Sequence, residues 1–321
     1  MPHPLVSVII PNYNHAPYLR QRIDSVLQQD YPNLEVILLD DCSTDNSCEI
    51  LRSYADDSRV SHVVLNDRNT GSTFVQWQRG MDLARGEFVW IAESDDVAHP
   101  TLLSTLAGQL TLHPDAAVAY CHSRLIDSEG QMLTEHNSRN PQPNDEGVVV
   151  HESIAFLRHM LIFNEIYNAS MAVFRRSALD GVDPRYRDYR YCGDWHFWSS
   201  VCAQGKVVEV WQMLNDFRQH PAKVTEHAKT DVMKRWRDEQ HTVGYIASLC
   251  QLTPLQRACW RGRITKRLRA ADMPLADKTA LRSEFPDQCS GAWWQMLLYE
   301  AGKTLFGFLR RRQDIRFLTA F

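Results

Sequence analysis

The sequence predicts an α/β protein with a mostly parallel sheet flanked by helices and an all-helical C-terminal region. Short apolar runs alternate with helical patterns over the first 120 residues. This order places parallel strands in one sheet, with helices on both faces. Acidic or polar residues directly follow several of the apolar runs. Beyond about residue 225 the pattern is helical throughout, with breaks near residues 253, 273 and 290.

The lengths of the apolar runs and the positions of capping residues and prolines predict the individual strands and helices. Apolar runs of strand length predict strands at residues 5–10, 34–39, 60–65, 87–91 and 116–120. Capping residues and prolines predict helices at residues 14–29, 43–55, 72–84 and 100–112. The polar stretch 121–150 predicts a long loop or a small hairpin. After it, the patterns predict a strand at 169–174 and a helix at 194–203.

Charge separates the chain into two parts. Residues 1–224 carry 18 Lys and Arg against 29 Asp and Glu, a net charge of −11, whereas residues 225–321 carry 17 against 10, a net charge of +7. We therefore expect a boundary near 222–226. An acidic first part argues against nucleic acid as its partner, and the basic second part suits an anionic lipid surface.

The remaining bulk features predict a cytoplasmic protein. The first apolar run is too short for the core of a signal peptide, and no run approaches the 18 residues of a spanning helix. The eight cysteines are scattered without a CxxC pair, which predicts free thiols and not a zinc site or disulfide framework.

The most informative segment is Glu93-Ser94-Asp95-Asp96, which ends the fourth predicted strand. Ligands of open α/β sheets bind beyond the carboxyl ends of the strands. Acids clustered there repel one another unless a cation joins them, and oxygen ligands suit Mg²⁺ or Mn²⁺. The alternative interpretation is a solvated acidic turn.

The first two strands also end in polar residues. Pro11-Asn12-Tyr13-Asn14 lacks the glycine pattern of a dinucleotide fold, and its tyrosine suits stacking against a base; the alternative is a turn with a packing aromatic. Asp40 and Asp41 end the second strand, where one acid can accept hydrogen bonds from a base or ribose. Helix capping explains the Ser-Thr-Asp that follows, but not the paired aspartates.

Asp194 follows Gly193 at the start of an aromatic-rich helix. Two interpretations stay open at this point. The side chain caps the helix, or it serves as a general base beside a sugar ring.

Taken together and in order, these motifs resemble the family 2 glycosyltransferases, which have the GT-A fold. The resemblance covers residues 4–222 and rests on five segments: the opening strand with Pro11–Asn14, the Asp40-Asp41-Cys42-Ser43-Thr44-Asp45 segment, Asn69-Thr70-Gly71, Ala84–Glu87 leading to Glu93–Asp96, and Gly193-Asp194.

The resemblance implies a role for each matching residue. It makes residues 1–97 the nucleotide-sugar half, 98–224 the acceptor half, and Asp194 the base that deprotonates the acceptor. The implied contacts to the donor, most often a uridine nucleotide, come from Pro11, Tyr13, Asn14, Asp41, Asn69, Arg79 and Asp95. The implied ligands of Mn²⁺ or Mg²⁺ are Glu93, Asp95 and Asp96, with His220 as a further candidate. The segment 215–220 matches the region after the last core strand and offers Arg218 for a metal or phosphate contact.

Two departures from the family pattern bear on the donor. Glu93 stands where the family has a shorter acid, and Trp77-Gln78-Arg79-Gly80 stands where the family often has Arg-Asn before the glycine. The expected reaction is inverting transfer from a nucleotide-sugar donor to a saccharide or lipid-linked acceptor. The rival classes are nucleotidyl transfer and a degenerate sugar-nucleotide-binding module.

The C-terminal segment 293–312 has apolar residues at helical spacing, followed by three arginines. It predicts either a helix packed on the catalytic domain or a second subunit, or an interfacial helix at an anionic membrane.

Overall fold

The computed structural model of the chain describes residues 3–135, 147–220 and 231–309. Ten strands form one sheet in this part of the chain: β1 Val6–Asn12, β2 Leu34–Asp40, β3 Val60–Leu65, β4 Phe88–Ile91, β5 Val97–Ala98, β6 Ala116–Ile126, β7 Met132–Glu135, β8 Val148–His151, β9 Ala172–Arg175 and β10 Lys206–Arg218.

The helices flank this sheet and then continue alone toward the C-terminus. Those of the first part are α1 Ala16–Leu27, α2 Ser47–Arg52, α3 Thr73–Leu83, α4 Leu102–Leu112, α5 Ser153–Met160 and α6 Gly193–Cys202. Those of the second part are α7 Val232–Leu249, α8 Pro254–Ala270, α9 Leu275–Glu284, α10 Pro286–Cys289 and α11 Trp293–Leu309. In the described ranges, no helix combines the length and the apolar character that crossing a bilayer requires.

The strand order is β3-β2-β1-β4-β9-β6-β10-β5, with β7 beside β6 and β8 beside β10. The first four strands pair in parallel. β9 is antiparallel to both β4 and β6, and β10 is parallel to β6. Because two reversals cancel, β6 and β10 run in the direction of β4. The carboxyl ends of β1, β2, β4 and β10 therefore lie at one edge of the sheet.

Burial explains why these segments are strands. Every residue of β1, β2 and β4 is buried, as expected for a sheet covered by helices on both faces. Gly80 lets α3 approach closely, because a Cβ at that position would lie 2.3 Å from Cγ2 of Ile9. The strands β1, β2 and β4 are thus packed without solvent-exposed residues up to their carboxyl ends.

The predicted fold class is confirmed, with two differences in detail. The stretch predicted as a long loop or a small hairpin from residue 121 begins as strand: β6 continues to Ile126 and forms a hairpin with β7, in line with the second alternative. Residues 136–146 of that stretch lie outside the described residues. The long strand β10 was missed, and residues 215–218 lie inside it, not after it. The charged residues of β10 interrupt the alternation that is typical of a strand. They can lie within the strand because residues of the neighbouring strands pair with them.

The C-terminal helices pack on the catalytic half. Asp238 of α7 accepts hydrogen bonds from the backbone N–H groups of Arg190 and Tyr191 at 2.8 and 3.1 Å, just before α6. Tyr245 of α7 stacks on the ring of His196, with centroids 4.2 Å apart. The predicted boundary at 222–226 lies within 221–230, outside the described residues, so the division into two domains stays a prediction.

A buried carboxylate joins three strands of the acceptor half. Glu209 of β10 lies 3.1 Å from Nε2 of His122 on β6 and 2.8 Å from Nε2 of His151 on β8. Burial opposes its ionisation, but hydrogen bonds from both histidines outweigh burial and lower the pKa of Glu209 to about 2. The charge therefore ties β6, β8 and β10 together.

We predict that Glu209→Gln lowers the free energy of unfolding by roughly 2–4 kcal/mol, because the buried histidines lose their charged partner. Urea denaturation measures the change. The matched control is Glu152→Gln, which removes a largely exposed carboxylate 3.4 Å from Lys206 and should change stability by less than about 0.5 kcal/mol. Equal effects of the two substitutions would contradict the role given to Glu209.

Candidate active site

The carboxyl edge of the sheet gathers most of the residues singled out in the sequence. Tyr13 follows β1, Asp41 follows β2, the acidic segment 93–96 follows β4, and His220 follows β10. Three of these strands lie within residues 1–97 and the fourth lies beyond them, at 206–218. A ligand bound at this edge would therefore contact segments from both parts of the chain.

At the end of β1, the predicted donor residues have different environments. Pro11 is buried inside the strand, and Tyr13 is 46% exposed at its tip. Asn14 has a φ of +55°, and its side chain accepts a 2.8 Å hydrogen bond from the backbone N–H of Thr44. Asn14 thus connects the ends of β1 and β2, and only Tyr13 presents an exposed ring to a ligand.

Asp41 is buried, and protein donors bond both of its oxygens. Asn66, Thr70 and Gln76 donate to its carboxylate at 2.8–3.1 Å. Its backbone carbonyl accepts a 2.9 Å bond from the side chain of Asn69. Asp41 therefore shapes the loop after β3.

Arg79 joins the same network, because its Nη1 donates to the side-chain oxygen of Asn66, which itself bonds Asp41. The structure thus brings together Asp41, Asn69 and Arg79, three residues predicted to contact the donor. They come from three separate segments of the chain. Arg79 is exposed and keeps its charge at the surface of this network.

Asp96 is fully buried and surrounded by protein donors. Asn168 and Ser170 donate to Oδ2 at 2.8 and 2.7 Å, and the backbone N–H of Arg218 donates to Oδ1 at 3.0 Å. Nη2 of Arg22, also fully buried, lies 3.8 Å from Oδ2. Burial and the negative charge of Asp95 raise the pKa of Asp96. These contacts describe a carboxylate that anchors the acidic segment.

Glu93 is held by its own partner. Trp77 Nε1 donates to its carboxylate at 2.8 Å, and Arg22 Nε donates to its backbone carbonyl at 2.7 Å. Burial, followed by repulsion from Asp95, raises the pKa of Glu93 to about 8. The carboxylate of Glu93 thus has a protein hydrogen-bond partner of its own in Trp77.

Asp95 has a different neighbourhood. Its Oδ2 lies 2.9 Å from Nε2 of His220, and the ring centroid of His220 lies 5.4 Å from that of His15. One ligand atom from each of these three residues falls within 4.8 Å of the other two, the one such group of three among the described residues. The structure thus brings Asp95 and His220 together, as predicted. It replaces Glu93 and Asp96 in that group with His15, because both acids bond to other partners.

Arg218, proposed from the sequence for a metal or phosphate contact, is 1% exposed. Its guanidinium donates to the carbonyls of Asp95, Asp127 and Ser128 at 2.8–3.1 Å and lies over the ring of Tyr18. These bonds fix the acidic segment to the hairpin that begins with β6. The phosphate contact is not supported, because the side chain faces protein.

Asp194 lies in the first turn of α6. A Cβ on the preceding Gly193 would lie 2.4 Å from the ring of Phe74 and 2.5 Å from the carbonyl of Tyr186, so only glycine lets the helix begin there. Burial raises the pKa of Asp194 to about 6, although backbone N–H groups and Asn164, which donates at 2.9 Å, oppose that shift. The side chain is a carboxylate at pH 7 with a basicity above that of an ordinary aspartate.

Helix α3 connects this aspartate to the acidic segment. Trp77 bonds Glu93, and its ring packs edge-on against Phe197 of α6, with centroids 5.4 Å apart. Phe74 of the same helix contacts Gly193. The positions of the two acidic sites are therefore coupled through one layer of packed aromatic side chains.

Several supporting residues were not identified from the sequence. Arg22 carried a readable signal, because it lies on the apolar face of α1 with Leu19, Ile23 and Val26. His15 directly follows a motif that was recognised, but its neighbours come from distant segments. Asn168 and Ser170 lie in a short 3-10 turn region before β9, and the sequence offers no signal for them.

Solved structures first define the class of protein. Residues 1–349 of S. aureus TarS, in complex with UDP-GlcNAc, align with a TM-score of 0.59 at 16% identity, over 97% of this chain and 93% of that fragment. The mannosyltransferase PcManGT of Pyrobaculum calidifontis, in complex with GDP-Man and Mn²⁺, aligns with a TM-score of 0.54 at 16% identity, over 95% and 88% of the two chains. The chain therefore has the GT-A fold of these glycosyltransferases.

The family follows from the sequence profile of Glycosyl transferase family 2, which matches residues 7–182, more than half of the chain. The protein belongs to this family. It is 39% identical over 107 residues to the glycosyltransferase GlyG of Streptococcus pneumoniae serotype 4, and 40% identical over 93 residues to TuaG of Bacillus subtilis, which is named for teichuronic acid biosynthesis. These alignments cover 33% and 29% of this chain, and they span 35% and 36% of GlyG and TuaG.

We predict that Arg22→Met destabilises the protein by about 3 kcal/mol, because Asp96 loses the one guanidinium buried beside it. Arg20→Met on the exposed side of the same helix is the control and should cost less than about 0.5 kcal/mol. Urea denaturation of both variants tests the prediction. A stability of Arg22→Met equal to that of the control would refute it.

Proposed function

We propose that this protein transfers a sugar, with inversion, from a nucleotide-diphosphate donor to a hydroxyl group of a saccharide or lipid-linked acceptor in the synthesis of a cell-surface glycan. The observation that carries the proposal is the pairing of Asp95 with His220 at the carboxyl edge of the sheet. The base candidate Asp194, which is partly buried, is coupled to this edge through α3.

The donor is proposed to be a UDP-sugar. This choice is supported by TarS, which was solved with UDP-GlcNAc and with UDP, and by the family resemblance of the first strand. On this proposal Tyr13 stacks on the base, while Asp41, Asn69 and Arg79 form the wall beside it. The assignment to cell-surface glycans is supported by the name of TuaG.

The site fits a divalent cation, Mn²⁺ or Mg²⁺, because a carboxylate and imidazoles converge within 4.8 Å. Asp95 and His220 would hold it. When bound, such an ion supplies positive charge that offsets the negative charge growing on the departing diphosphate. Asp96, Arg22 and Arg218 keep the acidic segment in place.

Asp194 is proposed as the general base that takes the proton of the acceptor hydroxyl. A base works best when its pKa lies near the working pH, and burial raises the pKa of Asp194 to about 6. Asn164 holds one carboxylate oxygen and so orients the other toward an acceptor. Trp195, whose Nε1 donates to the carbonyl of Met160, fixes the adjacent wall.

We predict that Asp194→Asn lowers turnover at least about 100-fold and leaves donor binding nearly unchanged, because the amide cannot accept the proton. Slow release of UDP from UDP-sugars in the presence of Mn²⁺ measures turnover without knowledge of the acceptor, and calorimetry with UDP measures binding. For the wild type, kcat should fall as the pH drops through about 6, because protonation of the carboxylate removes the base.

The matched control is Asp188→Asn, an exposed aspartate six residues earlier, which should keep wild-type turnover. Turnover of Asp194→Asn equal to that of this control would refute the assignment of the base. Binding of UDP-sugars without any turnover in the wild type would favour a degenerate binding module. Release of pyrophosphate from UTP in the presence of a sugar 1-phosphate would favour nucleotidyl transfer.

A lipid-linked acceptor implies contact with a membrane, and α11 is the proposed contact. One face of this helix packs on α8, where a Cβ on Gly262 would lie 2.0 Å from the carbonyl of Gln295. Three large apolar side chains lie away from that contact: Trp293, Trp294 and Leu297 are 66%, 50% and 58% exposed. Three arginines follow in the sequence at 310–312, and the net charge of residues 225–321 is +7. Exposed aromatics beside cationic residues suit an anionic lipid surface.

We predict that the double variant Trp293→Gln, Trp294→Gln loses most of the co-sedimentation that the wild type shows with vesicles of phosphatidylglycerol and phosphatidylcholine. The control is Leu275→Gln, which removes another exposed apolar side chain and should bind like the wild type. Equal binding by both variants would contradict the proposal. A change in oligomeric state on size-exclusion chromatography, without vesicle binding by the wild type, would assign the face to a second copy of the chain.

A further inference from the structure

We infer that His15 is a third protein ligand of the cation site, so that the ion is held by two imidazoles and one carboxylate. The inference rests on the proposed function, since it concerns the ion of that same site. Nothing in the sequence pattern assigned His15 a role. It lies between the end of β1 and the start of α1, in the loop that carries Tyr13 and Asn14.

The geometry brings three separate segments to one point. His15 follows β1, Asp95 follows β4 and His220 follows β10. One ligand atom of each lies within 4.8 Å of the others, and the two imidazole rings meet edge to face. An ion with ligand bonds of about 2.1–2.2 Å requires its donors to be mutually within roughly this distance.

The position of His15 is fixed on both sides of its backbone. Its carbonyl accepts hydrogen bonds from the N–H groups of Tyr18 and Leu19 at 2.9 and 3.0 Å, and the next N–H, that of Ala16, donates to Asp45 at 2.9 Å. The ring is fixed as well, because Nδ1 lies 2.8 Å from Oγ of the buried Ser94. Metal-bound histidines commonly use one ring nitrogen for such an orienting bond.

His15 also occupies a position at which a different residue would serve the helix better. It is the N-cap of α1, and its side chain makes no capping hydrogen bond. Ser, Thr, Asp or Asn at an N-cap typically adds about 1 kcal/mol to helix stability. The chain forgoes that contribution and directs an imidazole toward Asp95 and His220, which fits a ligand and not a cap.

The metal-ligand atoms, two imidazole nitrogens and one carboxylate oxygen, determine which divalent ion the site prefers. Mg²⁺ binds oxygen donors in a strict octahedron and accepts imidazole reluctantly, whereas Mn²⁺, as a transition metal, binds nitrogen ligands together with oxygen ligands. Two imidazoles should therefore favour Mn²⁺ over Mg²⁺. Removal of one imidazole should reduce the ratio of the affinity for Mn²⁺ to the affinity for Mg²⁺.

The test uses the full chain with Mn²⁺ alone and with Mn²⁺ plus UDP. Electron spin-echo modulation from ¹⁴N counts the imidazoles bound to Mn²⁺, and calorimetry gives the affinities for Mn²⁺ and Mg²⁺. The main variant is His15→Asn, because asparagine is a good N-cap and keeps α1 in place. His99→Ala, which removes an exposed histidine bonded to Thr101, is the control.

We expect nitrogen modulation from two imidazoles in the wild type and in the control, and from one in His15→Asn. We also expect Mn²⁺ affinity to fall at least about tenfold in His15→Asn, and Mg²⁺ affinity to fall less. Wild-type modulation and affinity in His15→Asn, together with loss of one imidazole in His220→Ala, would overturn this inference and leave the proposed function intact. Failure of the wild type to bind Mn²⁺, with or without UDP, would overturn both.

Discussion

The acidic edge of the sheet depends on buried guanidinium groups, above all that of Arg22. Three carboxylates follow β4 within four residues, and two of them are taken out of water. Arg22 lies beneath them, with its Nε on the carbonyl of Glu93 and its Nη2 on Ser170 and near Asp96. Without that guanidinium, the segment would carry uncompensated buried charge, which is among the most unfavourable arrangements in a protein. The remaining site residues are positioned relative to this segment.

Sheet topology decides which residues meet the segment. Because β9 runs against both β4 and β6, the strand β10 points its carboxyl end toward the same edge as β4. A single reversal would have carried His220 to the opposite edge. The antiparallel strand β9 in the middle of the sheet thus makes it possible for residues after β1, β4 and β10 to meet at one site.

Much of this arrangement could be predicted from the sequence, and the limit is physical. Strand ends are visible as apolar runs that stop in polar residues, and so Tyr13, Asp41 and Asp95 were identified, whereas Asp194 was identified as an acid at the start of an aromatic-rich helix. Which oxygens stay available to a ligand depends on partners distant in the chain. Asp96 is bonded by Asn168 and Ser170, more than 70 residues away, and no local pattern encodes those bonds. The strand β10 was not predicted for the same reason. Its charged residues are compensated by residues of β6 and β8, which lie far away in the sequence.

Gly193 limits which residues around the proposed site could vary to fit a different acceptor. Phe74 and the carbonyl of Tyr186 occupy the space that any larger residue would need. The start of the helix that carries Asp194 is therefore held against Phe74 of α3 and the backbone of Tyr186 by direct van der Waals contact. With Asp194 as the proposed base, a change of acceptor would fall to residues around this helix, because position 193 has no space for a side chain.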